Sequence, residues 1–180
     1  MRILTAVAAF LVLVLAGCGT ATDAPSGQSG QGSQDGRASA AEAPPAGEVR
    51  SVDFAADTVA GEPFDGASLE GKPAVLWFWA PWCPTCRAQI DGVSELAAEH
   101  GDAVNVVGVG ALDDPEAIAG FAAEVGDDVT LLSDPRGDVW RHFGVTGQST
   151  YLVLDAEGRE RASGFLDDPE LASIVDALAG

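Results

Sequence analysis

Cationic residues are scarce in this chain. Its 180 residues include 9 Lys and Arg against 28 Asp and Glu, which gives a net charge of −19. Nucleic-acid phosphates and anionic lipid surfaces both attract clusters of Lys and Arg, so the composition argues against binding to either through a basic patch. An acid excess of this kind is typical of a solvated, soluble surface.

Residues that hold metals and cofactors are also few. The chain contains 3 Cys and 2 His. Its single C-x-x-C has no second C-x-x-C or C-x-x-H to complete the tetrahedral set of ligands that zinc usually takes. Neither a G-x-G-x-x-G nor a P-loop occurs. The sequence therefore predicts no bound metal and no cofactor.

Long apolar runs are missing except at the N-terminus. After Met1-Arg2, the run Ile3–Leu15 is shorter than the roughly 20 residues of a transmembrane helix and suits the core of a signal peptide, predicted at 1–17. Leu15-Ala-Gly-Cys18 then resembles a bacterial lipobox, which implies that Cys18 receives a diacylglyceryl group. The alternative is a secretory signal with an incidental cysteine. In both cases the protein is expected outside the cytoplasm, where disulfides persist.

Composition divides the rest of the chain in two. After Cys18, the segment 18–47 is rich in Gly, Ser, Ala and Pro and has almost no large apolar side chains. Such a segment cannot bury enough surface to fold, and we predict a flexible tether with a reach of roughly 30 Å. Residues 48–180 have the length and apolar content of one ordinary domain.

The stretch Ala74–Arg87 is the most informative in the chain. The apolar run Ala74–Trp79 is typical of a buried strand, and Ala80-Pro81 ends it. Cys83 and Cys86 then open a predicted helix on one face, close enough to form a disulfide. Because a helix N-terminus favours negative charge, it lowers the pKa of the first thiol. Cys83 is therefore the predicted nucleophile and Cys86 the resolving thiol.

Trp79-Ala-Pro-Trp-Cys-Pro-Thr-Cys-Arg87 resembles the active site of thioredoxin-like proteins, above all their extracytoplasmic TlpA/ResA/DsbE-like branch. Strand, W-C-x-x-C and helix in this order are a specific signal, and the resemblance extends over about residues 48–180. It implies a thioredoxin-like α/β fold, a mixed β-sheet with helices on both faces. It also implies a protein thiol–disulfide oxidoreductase that acts on protein thiols and disulfides and works with a membrane electron-transfer partner.

Three residues of the motif itself are predicted to support the cysteines. Trp82 is expected to be partly exposed, where it would shield the thiols and contact partners; packing against a loop is the alternative. Pro84 fits the first turn of a helix, where its missing N–H costs little. Thr85 completes the redox motif.

The segment before Tyr151 departs from the family pattern. Thioredoxin-like proteins have a cis-proline followed by threonine where this chain has Ser149-Thr150. Because a cis peptide at a non-proline residue costs about 3–4 kcal/mol, we expect a trans Gln148–Ser149 peptide and a rearranged loop. A serine there would turn its N–H and hydroxyl toward the thiols, where they could stabilise a thiolate.

Two further departures concern proton transfer. The family often has a polar or acidic residue at the position of Trp77 and a glutamate at that of Gln89, and neither substitute titrates. Trp77 is expected to pack in the core, and Gln89 to be an ordinary polar helix residue. Deprotonation of Cys86 would then depend on water or on an unidentified group. Arg87 would either favour the thiolate or lie on the surface.

Periodicity predicts the remaining elements. Strands are expected near Val49–Phe54, at 62–64, 74–79, 104–109, 129–132, 151–154 and 159–164, and helices at 84–100, 115–125, around 140 and at 167–178. The acidic pairs at the starts of two helices, Asp114/Glu116 and Asp167/Asp168, are interpreted as helix capping rather than catalytic carboxylates.

Together these features predict a lipid-anchored, monomeric thiol–disulfide oxidoreductase of the cell envelope. It would reduce disulfides of envelope or exported proteins, for example in cytochrome c maturation. The same cysteines run in reverse would make disulfides, so an oxidase of exported proteins is one alternative. A redox-inert binding or adaptor lipoprotein with the same fold is another.

Overall fold

A computed structural model describes residues 47–180. The predicted signal peptide, Cys18 and nearly all of the predicted tether lie outside the described residues. Between residues 47 and 180, no helix is both long and apolar enough to cross a membrane.

Strands and helices alternate along the described chain. The strands are β1 (Ala55–Thr58), β2 (Pro63–Asp65), β3 (Ala74–Trp79), β4 (Asn105–Gly110), β5 (Thr130–Ser133), β6 (Thr150–Leu154) and β7 (Glu160–Gly164). The helices are α1 (Pro84–Ala88), α2 (Ile90–His100), α3 (Pro115–Ala122), α4 (Asp138–His142) and α5 (Asp168–Ala179), with a 3-10 helix at Gly66–Leu69.

The strands form one sheet in the order β2-β1-β5-β4-β3-β6-β7. β3, β4 and β5 run parallel, while β6 pairs antiparallel with β3, β7 with β6, and β1 with β5. All six residues of β3 are buried, as expected for a central strand whose two faces are both covered. The parallel strands end, and β6 begins, at the same edge of the sheet, directly beside the C-x-x-C segment.

The core has two layers, one on each face of the sheet. Side chains of alternate β3 residues, Val75, Trp77 and Trp79, join a cluster with buried residues of α1, α2, α3 and α5. Leu76 and Phe78 point the other way and join residues of α4 and the 3-10 helix. The predicted fold class, a thioredoxin-like mixed sheet with helices on both faces, is therefore confirmed.

Two of the predicted helix caps are confirmed, at Asp114 and Asp167. Asp168, which was also interpreted as a capping residue, has a different role. The carboxylate of Asp114 accepts a hydrogen bond from the Ala117 N–H at 2.9 Å, at the start of α3. That of Asp167 accepts one from the Glu170 N–H at 2.9 Å, at the start of α5. Capping does not account for Asp168, because its carboxylate packs against Gly92 of α2.

The predicted strand at Val49–Phe54 is wrong. Val49 makes an isolated bridge to Arg159 and is 54% exposed, and the first strand begins only at Ala55. Phe54 turns inward and packs edge-on against Phe143, so its apolar character serves the core rather than a strand. A short strand follows near the predicted 62–64, and β1 and β2 pair as an antiparallel hairpin.

Candidate active site

The end of β3 places both cysteines at a helix N-terminus. Cys83 is the N-cap residue of α1, with an extended backbone, and Pro84 occupies the first turn. The Cys86 N–H donates to Cys83 Sγ at 3.1 Å, so the first thiol takes the place of a capping oxygen. Both thiols are free and almost fully buried. Thr85 is exposed, like Pro84.

Ser149 brings a single hydroxyl to both thiols. Its Oγ lies 3.2 Å from Cys83 Sγ and 3.1 Å from Cys86 Sγ. No peptide bond between residues 47 and 180 is cis, so the expected trans Gln148–Ser149 peptide is confirmed. Where a cis-proline would otherwise turn the loop toward the thiols, this chain has a left-handed backbone at Ser149, with φ of 60°.

Thr150 anchors this loop. Its Oγ1 donates to the Gly147 carbonyl at 2.9 Å, and its backbone pairs with Phe78 as the first residue of β6. The first contact closes the loop, and the second fixes it to β3, the central strand that leads into the C-x-x-C. The Thr150 hydroxyl bonds to Gly147 rather than to a thiol, so the residue contacts the site through its neighbour Ser149.

The two thiols differ in acidity. Burial by itself raises the pKa of Cys83, but hydrogen bonds outweigh it and hold that pKa below its ordinary value. These bonds come from the side chains of Cys86 and Ser149 and from the backbone N–H groups of Cys86 and Thr85. The pKa of Cys86 is raised, first by burial and then by its hydrogen bond to Cys83. The pair thus contains one thiol that ionises readily and one that holds its proton.

Trp82 is partly exposed, as expected, and it also packs against a loop. Its side chain is 55% exposed beside Cys83, and its indole N–H donates to the Leu112 carbonyl at 3.2 Å. Leu112, in the loop after β4, is itself 49% exposed and has φ of 62°. Phe165, directly after β7, is 63% exposed. Sequence reasoning missed Leu112 and Phe165, since single apolar residues in loops carry no periodic signal.

Gln89 is not the ordinary polar helix residue that we expected. It is buried, and its Oε1 accepts a hydrogen bond from the Trp77 indole N–H at 3.0 Å. The predicted single helix 84–100 is accordingly two helices, with Gln89 as the junction between α1 and α2. Trp77 is fully buried, as expected.

Arg87 is held on the α3 side of the site. It forms an ion pair with Glu124, and its guanidinium lies 5.0 Å from the centre of the Phe121 ring. Among the described residues, no group of three or more His, Cys, Asp or Glu could hold a metal ion.

The fold and the two unequal thiols at the start of α1 define the class of thioredoxin-like thiol–disulfide oxidoreductases. A family model described as Redoxin matches residues 39–178. The chain belongs to this Redoxin family.

Named relatives and solved structures agree with this class. The soluble secreted antigen MPT53 of Mycobacterium tuberculosis is 40% identical over 129 residues, which cover 72% of each chain. The thiol:disulfide interchange protein DsbE of Yersinia pestis is 37% identical over 112 residues, 60% of this chain and 58% of that one. A solved structure of a secreted M. tuberculosis disulfide oxidoreductase homologous to E. coli DsbE is 38% identical, with a TM-score of 0.65 over 71% of this chain and 97% of that one.

Proposed function

We propose that this protein reduces disulfides of exported or envelope proteins through the Cys83–Cys86 pair. The Cys83 thiolate attacks one sulfur of the substrate disulfide, a mixed disulfide forms, and the first substrate sulfur leaves and takes up a proton. Cys86 then loses its proton and attacks Cys83 Sγ, which releases the second substrate thiol and leaves a Cys83–Cys86 disulfide. A membrane electron-transfer partner returns the pair to the dithiol.

The unequal acidity of the thiols carries the dithiol mechanism, which uses the same two residues in either direction of transfer. A nucleophilic cysteine must be a thiolate near neutral pH, and the hydrogen bonds to Cys83 from Ser149 and from the N–H groups of α1 favour that form. A resolving cysteine must stay protonated until the mixed disulfide forms, which fits the raised pKa of Cys86. An inert structural disulfide would need neither property.

A protein substrate is supported by the surface around the thiols. Trp82, Leu112 and Phe165 are all large, apolar and substantially exposed. All three follow elements that end at the edge of the sheet where the cysteines lie. Exposed apolar side chains grouped at one site commonly mark a surface for another protein. Such a rim suits extended, apolar segments that flank a cysteine in an incompletely folded exported protein, including an apocytochrome during cytochrome c maturation.

Attachment to the outer face of the membrane is the second part of the proposal. It is supported by the apolar run before Leu15-Ala-Gly-Cys18. The relatives named as secreted proteins support a location outside the cytoplasm, with or without an anchor. Processing would remove residues 1–17, lipidate Cys18 and leave 18–47 as a tether, with the domain 48–180 as a monomer beyond it. The test is labelling of the full chain with radioactive palmitate in a bacterial host. Loss of the label in Cys18→Ala would support the anchor. A wild-type protein that is unlabelled and released from the cells would instead indicate simple secretion.

Catalysis is tested by insulin reduction with dithiothreitol as donor. We expect the wild-type domain to accelerate precipitation of the insulin B chain and Cys83→Ser to abolish this acceleration. Cys86→Ser should instead trap a mixed disulfide with the substrate, visible as a shifted band on a non-reducing gel. If wild type and Cys83→Ser behave alike, the protein is a binding module and not an oxidoreductase.

The direction of transfer is tested by the reduction potential of the Cys83–Cys86 pair in glutathione or dithiothreitol buffers. A reduction potential of about −270 mV, as in thioredoxin, supports the proposed reductase. A reduction potential of about −120 mV, as in DsbA, would mean that the dithiol is the strongly favoured form and that the protein makes disulfides instead.

A further inference from the structure

The Ser149 hydroxyl is shared between the two sulfurs of the active site. Its Oγ is 3.2 Å from Cys83 Sγ and 3.1 Å from Cys86 Sγ. Because these distances are nearly equal, the oxygen can form a hydrogen bond with either sulfur without any movement of a heavy atom. Ser149 and both cysteines are buried, so the hydroxyl is a partner that bulk water does not replace.

A serine hydroxyl has one proton to donate and two lone pairs that accept. It can therefore donate to one sulfur while it accepts from the other, but it cannot donate fully to both. In the reduced protein the pKa of Cys83 is lowered and that of Cys86 is raised. All three groups are satisfied when the Ser149 O–H donates to the Cys83 thiolate and the Cys86 S–H donates to Ser149 Oγ.

The first chemical step reverses the demand for this proton. Once Cys83 Sγ is bonded to a substrate sulfur it is uncharged, and the next negative charge must form on Cys86. The Cys86 N–H, 3.1 Å from Cys83 Sγ, already faces that sulfur, so the hydroxyl is free to turn away from it. Rotation about the Cβ–Oγ bond of Ser149 brings its proton to Cys86 Sγ.

The backbone keeps the oxygen in place while its proton turns. Ser149 has a left-handed conformation, and the next residue, Thr150, is fixed by its bond to the Gly147 carbonyl and by its pairing with Phe78 of β3. β3 leads directly into the segment that carries the cysteines. The hydroxyl and the thiols are thus held by adjoining strands, and a site on such rigid elements keeps its geometry through successive steps.

The elements around the thiols carry other titratable or charged groups: Tyr151 of β6, Arg87 of α1, Glu124 after α3, Asp113 in the loop after β4 and Asp168 of α5. Burial raises the pKa of Tyr151, so its phenol stays neutral. Arg87 is paired with Glu124, Asp113 Oδ1 accepts the Asp114 N–H, and the Asp168 carboxylate packs against Gly92. The side-chain donor within hydrogen-bond distance of both sulfurs is Ser149.

We propose that the Ser149 hydroxyl acts in both chemical steps, donating its hydrogen bond first to the Cys83 thiolate and then, in the mixed disulfide, to the Cys86 thiolate. This inference rests on the proposed dithiol mechanism and assigns the group that its second step needs. Cys86 gives its proton to water, the hydroxyl turns to the new thiolate, and the thiolate attacks Cys83 Sγ. The Cys83–Cys86 bond forms, the bond from Cys83 to the substrate breaks, and the substrate leaves as a thiolate that takes up a proton from water. Ser149 keeps its own proton throughout.

The test separates the two steps by rapid mixing of the reduced protein with DTNB. Attack by Cys83 releases the first thionitrobenzoate at a rate that depends on the DTNB concentration, and attack by Cys86 on the mixed disulfide releases the second at a rate that does not. In Ser149→Ala and Ser149→Gly we expect the second phase to be slowed about tenfold near neutral pH, as for the loss of a hydrogen bond to a charged group. At high pH, where Cys86 is ionised in every variant, the second phase should approach the wild-type rate.

Ser163→Ala is the matched control, since it removes an exposed serine hydroxyl that bonds to Glu160 on β7. It should leave both phases as in wild type. A second phase unchanged in both Ser149 variants, with only the first phase slowed, overturns the proposal, because the hydroxyl would then serve Cys83 alone. A second phase slowed equally at every pH also overturns it, since that result would show displaced thiols rather than a lost hydrogen bond. A wild-type protein with no second phase would instead contradict the proposed function itself.

Discussion

At the scale of single residues, the Ser149 hydroxyl contacts both thiols and lowers the pKa of each. It lies within 3.2 Å of both sulfurs. The chain holds it there at a cost, because a left-handed backbone is unfavourable by roughly 1–2 kcal/mol for a residue with a Cβ. Strain of this kind persists when the surrounding structure over-determines the residue, and it is frequent at functional sites.

We predict that the two cysteines of the reduced protein will be alkylated at different pH. Cys83 has a lowered pKa, so its reaction with iodoacetamide should be half-maximal below the value of about 8.5 for a free thiol. Cys86, with its raised pKa, should react only at higher pH. Peptide mass spectrometry after short pulses of reagent across the range measures both residues in one sample. A single shared midpoint would contradict the assignment of roles.

Two substitutions at Ser149 separate the effect of its hydroxyl on the thiols from the effect of its strained backbone on stability. Both Ser149→Ala and Ser149→Gly remove the hydrogen bond to the Cys83 thiolate, so both should raise the pKa of Cys83. Only Ser149→Gly relieves the left-handed conformation and should be the more stable of the two. Thiolate absorbance and thermal melts measure the two effects. If the pKa stays where it is in both variants, the hydroxyl does not stabilise the thiolate.

At the scale of elements, the junction between α1 and α2 marks the limit of prediction from local pattern. The four inward positions of α2 follow from helical periodicity and are buried as predicted, at Ile90, Val93, Leu96 and Ala97. β3 matches its predicted bounds, and its continuous apolar run is typical of a strand buried on both faces. The break at Gln89 coincides with a hydrogen bond to Trp77 of another element, and no local pattern encodes that bond. β1 was misplaced for a similar reason, since one of its partners, β5, is remote in sequence.

Two helix glycines offer a matched pair of substitutions. A Cβ on Gly120 of α3 would meet no atom within 4 Å, so Gly120→Ala should stabilise the protein by about 0.5–1 kcal/mol through helix propensity. Gly92→Ala should instead destabilise it, because the methyl group would collide with Asp168 Oδ1. Urea unfolding of both variants measures the contrast.

The double variant Gly92→Ala/Asp168→Ala gives the internal check. Once the carboxylate is gone, the alanine should recover the stabilisation seen at Gly120. If Gly92→Ala alone already stabilises the protein, α2 and α5 are not packed around the Asp168 side chain as described.

At the scale of the whole molecule, the fold was more predictable than the detailed site. The sheet with helices on both faces and the C-x-x-C at its edge follow from the order of elements and one motif. The setting of the thiols depends on contacts over long stretches of chain, such as Ser149 to Cys83 and Trp82 to Leu112. An isolated residue such as Leu112 gains significance only when the fold brings it near the motif.

The net charge of −19 bears on the stability of the molecule as a whole. An excess of one sign destabilises the compact state through repulsion between like charges. Raising the salt concentration from about 0.01 M to 0.5 M should therefore raise the Tm by several degrees, because screening shortens the range of that repulsion. Thermal melts in sodium chloride measure this effect. A Tm that falls or stays level would mean that the ion pairs between residues 47 and 180 outweigh the general repulsion.

The exposure of Trp82 gives the protein an optical reporter of its own redox state. Trp77, Trp79 and Trp140 are buried, and Trp82 is the fourth tryptophan of the chain. The emission that is red-shifted and accessible to acrylamide should therefore come from Trp82, directly beside Cys83. Closing the Cys83–Cys86 disulfide places a quencher next to this indole, so the intensity of that component alone should fall on oxidation. Each turnover of the pair would then be readable in real time without a label.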